Sequence, residues 1–112
     1  PIDVFGDGST RRDYTHIDDI LQGVLAALDR KLGYEVINLG ESRTVELREL
    51  ISLIEKATGK SAKINRQSLQ PGDVPVTFAD IAKARRLLDY NPRVTIEDGI
   101  ARFVYWYEHQ TP

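Results

Sequence analysis

The sequence contains no cysteine, which excludes disulfides, a thiolate nucleophile and every cysteine-based zinc site. Histidine is scarce too. The chain has only His16 and His109, which lie far apart and have no companion at a recognised metal-ligand spacing. We therefore expect no metal site. The lack of cysteine also fits a protein of the cytoplasm, and we predict that location.

Long apolar runs and an excess of positive charge are missing as well. No run approaches the roughly 20 apolar residues that cross a bilayer. The formal net charge of −2 gives no electrostatic basis for binding nucleic acid or an anionic membrane, so we expect neither partner. The 112 residues present, of which 41% are hydrophobic, suffice for one globular domain.

Hydrophobic periodicity predicts about four helices separated by short strands. Strands are expected at residues 2–5, 34–39 and 62–65, and the helices are expected to follow caps at Asp18 or Asp19, Thr44, Asp80 and Thr95. Strands this few and short cannot form a self-sufficient sheet, so the helices must cover them. The predicted fold class is therefore α/β, of the mixed α+β kind.

Apolar stripes indicate which sides of the helices matter. The first helix, expected to run to about Asp29, carries a stripe of Ile20, Val24, Ala27 and Leu28, widened by Leu21 and Leu25. The second is expected to bury Leu47, Leu50, Ile51 and Ile54. In the last helix, Tyr105, Trp106 and Tyr107 are consecutive and point about 100° apart, so they cannot form one stacking surface. We expect Tyr107 to pack in the core and the other two to be partly exposed.

The first residues indicate a longer parent protein. Pro1 leads at once into the apolar residues 2–6, without a preceding turn or cap. This pattern is typical of a strand entered from upstream, and we expect the chain to be cut from a larger polypeptide.

A glycine-rich turn, residues 6–9, is followed after Thr10 by two adjacent arginines, Arg11 and Arg12. The turn is not a dinucleotide loop, because Arg11 occupies the third glycine position and no helix follows at once. One of the two guanidinium groups could face inward and bind phosphate through parallel charge-assisted hydrogen bonds. Residue types alone favour a surface pair, in which Arg12 bridges to Asp13 or Asp18.

Residues 70–75 form a rigid polar loop in which proline fixes the backbone and Gly72 permits close approach to a ligand. Asp73 could accept hydrogen bonds from sugar hydroxyls there. On residue types alone, an ordinary connection in which Asp73 caps a turn is the stronger interpretation.

Four parts of the chain, in order, carry a resemblance to a known family. They are Val4–Gly8 with Arg12–Asp19, Asn38–Ser42, Gln70–Ile81, and Gly99–Val104 with Trp106 and Tyr107. Together they resemble the extended short-chain dehydrogenase/reductase family of NAD-dependent epimerases and dehydratases, over essentially the whole chain. The sequence is most similar to the UDP-glucuronate 4-epimerase branch. UDP-glucose 4-epimerases, decarboxylases and dehydratases are close neighbours.

The resemblance implies that residues 1–112 are the small C-terminal nucleotide-sugar-binding domain of a Rossmann-type enzyme, with the Rossmann domain absent. In the family that domain binds NAD and carries a catalytic Tyr-x-x-x-Lys pair. No tyrosine here has a lysine four residues later. We therefore expect no catalytic and no cofactor-binding residue in this chain, and no activity from it alone. The expected partners are a UDP-sugar and the Rossmann domain of the same polypeptide, within a full-length homodimer.

The resemblance also assigns site residues one by one. Arg12 matches the arginine that grips the UDP diphosphate, Tyr14 the aromatic residue beside it, and Asp73 the acid near the ribose. Phe5 matches a residue whose backbone meets the uracil. Gln70 stands where galactose-type epimerases have an arginine, so a second diphosphate contact is in doubt. These matches outweigh the surface-pair interpretation of Arg12.

Two alternatives belong to other functional classes. A free-standing nucleotide-binding module would bind UDP without any Rossmann partner. A purely structural domain would leave Arg12 exposed, and its removal would change nothing.

Overall fold

The computed structural model describes residues 1–110, which form four helices and four short strands. The helices are α1 (Ile17–Leu28), α2 (Leu47–Thr58), α3 (Ala82–Leu88) and α4 (Ile96–Glu108). The strands are β1 (Ile2–Phe5), β2 (Arg11–Arg12), β3 (Val45–Glu46) and β4 (Ile64–Gln67). The mixed fold class and the four helices are therefore confirmed. No helix among these residues is long and apolar enough to cross a membrane.

The strands form two separate pairs. β1 and β4 are parallel, in a register that sets Ile2 opposite Ile64 and Phe5 opposite Gln67. β2 and β3 are antiparallel, with Arg12 opposite Val45. The expected strand at 62–65 is thus displaced to Ile64–Gln67, because the register of the pair sets the four residues of β1 opposite residues 64–67.

The expected strand at residues 34–39 is wrong. Among residues 1–110 no strand pairs with it, and without a hydrogen-bonded neighbour an apolar run remains an irregular segment. The segment still contributes to packing, since Ile37 and Leu39 lie against the core.

The core lies around α3. Ile81, Ala84, Leu88 and Tyr90 form one buried cluster, against which Ala26, Leu32, Ile37, Leu39, Ala79 and Leu87 pack. The hydroxyl of Tyr90, itself buried, donates to the carbonyl oxygen of Gly40 at 3.0 Å. This hydrogen bond ties the core to the segment that precedes β3.

One of the four expected helix caps is correct, since Thr95 Oγ1 accepts from the Asp98 N–H at the start of α4. The cap expected at Asp80 is wrong: α3 begins after Ile81 without a side-chain cap, and Asp80, one residue earlier, only accepts from the N–H of Ala82 in a local turn. The caps expected for α1 and α2 are wrong. His16 caps α1 through Nδ1, which leaves Asp19 for a distant segment, and α2 begins after Glu46 without a side-chain cap, because the preceding residues pair in β3.

Helix α1 turns its small and polar side inward. Asp19 and Gly23 are buried, and a Cβ at Gly23 would lie only 2.4 Å from Leu39 Cδ2, so the glycine permits close packing of the 34–39 segment. Most of the predicted apolar stripe is exposed instead: Leu21, Val24, Leu25 and Leu28. Ile17, at the start of the helix, is exposed as well. The stripe therefore does not face the core of residues 1–110.

Helix α4 packs against α2, and two of its residues are buried: Val104, and Gly99, which lies against His16. The expectation that Tyr107 packs in the core is wrong, since its side chain is 70% exposed. The neighbouring elements leave the last turn of α4 uncovered, so Tyr105 and Trp106 are exposed as well. In α2 the expected buried side is only partly covered: Leu47, Leu50 and Ile51 are half-buried, and Ile54 is exposed.

Removing the Tyr90 hydroxyl should destabilise the fold. Tyr90→Phe leaves the Gly40 carbonyl without its buried donor, which costs roughly 1–3 kcal/mol. The control is Tyr34→Phe, because the Tyr34 side chain is 92% exposed and should contribute little. Urea unfolding of both variants measures the difference. Equal midpoints for the two would show that the Tyr90–Gly40 bond contributes nothing to stability.

Candidate functional site

An ion pair joins two of the residues singled out in the sequence, although they lie far apart along the chain. Arg12 Nη2 is 2.7 Å from Asp73 Oδ1. The bridge from Arg12 to Asp13 or Asp18, which the residue types alone favour, is not formed among residues 1–110. Both side chains are about one-third exposed, so a ligand can reach them from solvent.

Backbone hydrogen bonds bring the loop that carries Asp73 to β2. The N–H of Arg11 donates to the carbonyl oxygen of Pro75 at 2.8 Å, and the N–H of Thr77 donates to the carbonyl oxygen of Arg11 at 3.1 Å. Strand β2 is therefore held on one edge by β3 and on the other by this loop. The position of Asp73 beside Arg12 follows from this second edge.

The two adjacent arginines have different roles. Arg11 donates from Nε to Thr44 Oγ1 at 2.9 Å, from Nη2 to the Thr44 carbonyl at 3.0 Å, and from Nη1 to Glu46 Oε1 at 3.1 Å. Its guanidinium group is thus committed to holding the 44–46 segment. Arg12 uses Nη1 on the carbonyl oxygen of Arg11 and Nη2 on Asp73. Because a guanidinium group has five N–H donors, Arg12 retains about three for an anionic ligand.

Arg12 lines a hollow of about 270 Å³. Its other walls are Asp13, Thr15, Leu39, Gly40, Thr77, Phe78 and Ala79. These residues come from the end of β2, the segment before β3 and the segment before α3. The hollow is mixed in character, with one cation, one carboxylate and several apolar surfaces, as an amphipathic ligand would require.

Asp13 is the site residue that the sequence did not reveal. Its carboxylate accepts from the N–H groups of Glu41, Ser42 and Ala79 and from the hydroxyl of Thr15, at 2.9 to 3.2 Å. The sequence indicates Asp13 only as a possible ion-pair partner for Arg12. No local pattern announces these contacts, since the three backbone donors lie 28, 29 and 66 residues away.

Tyr14 lies apart from the hollow beside Arg12. It lines a second hollow of about 310 Å³ together with Arg11, Glu41, Arg43, Thr44, Val45, Glu49, Thr95, Ile96 and Glu97. Burial raises the pKa of the Tyr14 hydroxyl, and the nearby charge of Arg12 partly opposes that shift. Tyr14 is therefore near enough to Arg12 to feel its charge, but it faces a different cavity.

The residues next to Phe5 and Gln70 in the chain, Gly6 and Leu69, are in close contact. Phe5 ends β1 opposite Gln67, and a Cβ on the following Gly6 would lie 2.8 Å from Leu69 Cδ2. The carbonyl oxygen of Gln70 accepts from the N–H of Asp73 at 3.1 Å, which forms a turn. The end of β1 and the loop with Asp73 thus lie on neighbouring parts of the surface.

The carboxyl groups of Asp19 and Glu41 have pKa values that are shifted in opposite directions. Burial raises the pKa of Asp19, but the N–H groups of Arg93 and Val94 outweigh burial, so the pKa lies below its ordinary value. Burial raises the pKa of Glu41 to about 7, and a hydrogen bond and charge from Asp19 act in the same direction. Glu41 Oε1 is buried and, among residues 1–110, has no hydrogen-bond partner. With a pKa of about 7, the Glu41 carboxyl group is protonated below that pH and ionised above it.

Glu41→Gln should stabilise the protein at pH 8 and leave its stability nearly unchanged at pH 4. A glutamate whose pKa rises from 4.5 to about 7 on folding binds its proton more tightly in the folded state. Its contribution therefore falls as the pH rises through that window and stays low above it. Glutamine resembles the protonated form at every pH. Unfolding midpoints at both pH values measure the effect, and a variant that is less stable at pH 8 would contradict the assignment.

Comparisons with known proteins agree with this structure. The family model described as GDP-mannose 4,6 dehydratase matches residues 2–103. The chain is 45% identical to a UDP-glucuronate 4-epimerase of Thermodesulfobacterium geofontis (strain OPF15), covering 95% of this chain and 33% of that protein. It is 35% identical to a probable UDP-glucuronate 4-epimerase of Rhizobium meliloti (strain 1021), covering 96% and 37%.

A solved structure extends the similarity to three dimensions. A UDP-glucuronic acid 4-epimerase from Bacillus cereus, in complex with UDP-glucuronic acid and NAD, matches 96% of this chain and 36% of its own with a TM-score of 0.82 and 40% identity. The chain thus spans about a third of the length of the relatives that it matches. With the family model matching most of its residues, this chain belongs to the GDP-mannose 4,6 dehydratase family of extended short-chain dehydrogenases/reductases.

Proposed function

We propose that this chain is the nucleotide-sugar-binding part of an NAD-dependent UDP-glucuronate 4-epimerase. The observation that carries the proposal is the Arg12–Asp73 pair, in which a guanidinium group with further N–H donors lines a hollow and contacts a carboxylate. Relatives at 45% and 40% identity are UDP-glucuronate 4-epimerases, which supports this substrate.

In this proposal Arg12 binds the diphosphate and Asp73 accepts from the ribose hydroxyls. A planar guanidinium group can bind phosphate oxygens through two parallel hydrogen bonds. The Phe5 backbone, at the end of β1, meets the uracil, and Gln70 lies on the adjoining loop. Tyr14 lines the second hollow, together with Arg11, and not the hollow beside Arg12. Anchoring by the diphosphate leaves the sugar free to turn, because the reacting ring is remote from the anchor.

The cofactor belongs elsewhere in the polypeptide. NAD acts as the hydride acceptor and donor when it is bound. In this chain the glycine-rich residues 6–9 lead into β2, and the next helix begins only at Ile17, so no helix N-terminus cradles a pyrophosphate there. The proposal therefore assigns NAD to a Rossmann domain of the same polypeptide.

The exposed apolar side of α1 supports a covering partner. Five large aliphatic side chains on this helix face solvent, and the 34–39 segment beside it has no strand partner within residues 1–110. A large exposed apolar patch is typical of a protein interface. The Rossmann domain is the proposed cover, in a cytoplasmic enzyme that forms homodimers.

UDP-glucose is the second candidate substrate. A UDP-glucose 4-epimerase from Thermotoga maritima, solved with UDP-glucose, matches 96% of this chain and 34% of its own with a TM-score of 0.85 at 30% identity. The residues that bind the diphosphate and the ribose would serve either substrate. A competition experiment, in which the full-length enzyme is given both UDP-sugars, measures which of the two it converts preferentially.

Arg12→Ala should weaken UDP binding by the full-length enzyme by about ten- to a hundredfold, since a hydrogen bond to a charged group contributes roughly 1.5–3 kcal/mol. Arg12→Lys should recover only part, because lysine keeps the charge but loses the planar fork. Isothermal titration with UDP measures both.

The control must remove an arginine without disturbing the fold. Arg11 is unsuitable, because its guanidinium group binds Thr44 and Glu46. Arg86 is an exposed arginine on α3 and provides the same change of charge. If Arg86→Ala and Arg12→Ala weaken binding equally, the effect is one of net charge, and the assigned diphosphate site is wrong.

The 112-residue chain alone should not interconvert UDP-glucuronate and its C4 epimer, even with NAD added. It has no tyrosine with a lysine four residues later. Chromatography of the nucleotide sugars after long incubation measures turnover, with the full-length enzyme as the positive control. Turnover that survives removal of every trace of longer enzyme would contradict the proposed division of labour.

A further inference from the structure

The carboxylate of Asp13 accepts hydrogen bonds from three parts of the chain: Thr15 in its own segment, residues 41–42, and Ala79. Asp13 Oδ1 accepts from the Glu41 N–H at 2.9 Å and from the Thr15 hydroxyl at 3.2 Å. Asp13 Oδ2 accepts from the Ser42 N–H at 3.0 Å and from the Ala79 N–H at 3.1 Å. Both oxygens are thus occupied by two donors each, and three of the four donors are backbone amides.

These parts of the chain are the walls of the hollow beside Arg12. Leu39 and Gly40 form one wall, and Thr77 to Ala79 form the other. At Gly40, which is buried, a Cβ would lie 2.7 Å from Ala79 Cβ and 2.8 Å from Asp13 Oδ2. The two walls therefore approach each other as closely as a residue without a side chain permits, and the carboxylate lies between them.

The same segments determine where Arg12 and Asp73 meet. Ala79 ends the stretch that begins at the Asp73 loop and runs along β2 through Thr77. Fixing Ala79 to Asp13 anchors that stretch a few residues beyond the ion pair. Asp13 is also the immediate neighbour of Arg12, so the hydrogen bonds that hold its carboxylate restrain the chain next to Arg12.

We propose that Asp13 is the positioning residue of the Arg12 site. It holds the two walls together and presents the Arg12 guanidinium group toward the ligand, without itself contacting the ligand. The assignment rests on the proposed function insofar as the ligand is a nucleoside diphosphate. Asp13 affects ligand binding through the position of Arg12. Its hydrogen bonds to the two walls of the hollow do not depend on any ligand.

Asp19 provides a matched control for a merely structural role. Its carboxylate also accepts two backbone amides of a distant segment, from Arg93 at 2.9 Å and Val94 at 2.8 Å. It does not line the hollow beside Arg12. Asparagine at either position replaces one acceptor oxygen with an amide group that cannot accept from an N–H.

The experiment compares Asp13→Asn with Asp19→Asn in the full-length enzyme, with UDP as the probe. Titration should show UDP binding weakened about tenfold or more by Asp13→Asn and changed by less than about twofold by Asp19→Asn. Hydrogen exchange should accelerate at the Ser42 and Ala79 amides in the first variant, and at the Arg93 and Val94 amides in the second. Equal losses of UDP affinity in the two variants would overturn the assignment.

A second variant tests the proposal even if Asp13→Asn does not fold. Gly40→Ala keeps the carboxylate but forces the walls apart, because the new Cβ has no room. It should weaken UDP binding and accelerate exchange at Ala79. If Gly40→Ala binds UDP like the wild type, wall position does not control Arg12 and the assignment fails.

The two proposals fail in different ways. A wild-type enzyme that does not bind UDP contradicts the proposed function. In that case exchange still tests Asp13, and unchanged protection at Ser42 and Ala79 in Asp13→Asn overturns its role in holding the walls.

Discussion

Hydrogen bonds from backbone amides to buried or half-buried carboxylates hold this domain together. Its strands are only two to four residues long, so much of the backbone outside the helices finds no ladder partner. Asp13 satisfies three such amides, and Asp19 satisfies two more. Leaving a buried amide unsatisfied costs roughly 1–3 kcal/mol. The arrangement of the segments around β2 therefore depends on these two carboxylates.

The position of Arg12 follows from that arrangement. β2 has only two residues, yet it is held by β3 on one edge and by the residues after the Asp73 loop on the other. Arg11 reinforces the first edge through Thr44 and Glu46. The Arg12 side chain is partly exposed to solvent, and its ion-pair partner is Asp73.

The weakness of the Arg12–Asp73 pair suits a binding site. A pair that is about one-third exposed lies in a high dielectric and is worth at most about 1 kcal/mol. In the proposed function, a diphosphate would replace or share this contact at small cost, because water already screens it. The pair would keep Arg12 oriented in the free protein without blocking the proposed ligand.

How far the sequence predicts this structure depends on the range of each interaction. The helices and the Thr95 cap depend on neighbours within one turn, and the sequence reveals them. The Arg12–Asp73 pair and the contacts of Asp13 join residues that are tens of positions apart, so no periodicity reports them. The resemblance to a family predicts Arg12 and Asp73 as site residues, but it does not indicate that they contact each other. The strand expected at 34–39 failed for the same reason, because a strand requires a partner that local pattern cannot supply.

Helix α1 shows what an apolar stripe establishes and what it does not. Its amphipathic pattern predicted a helix correctly, but the side that faces the core of residues 1–110 contains Asp19 and Gly23. The small side permits close approach of Leu39, and the carboxylate binds the backbone before α4. The internal contacts of α1 are thus made by steric fit and hydrogen bonding, which leaves its aliphatic side chains outside. A helix that is fixed on its polar side and apolar on its outer side is suited to lie between two bodies, and this is the position that the proposed Rossmann partner would give it.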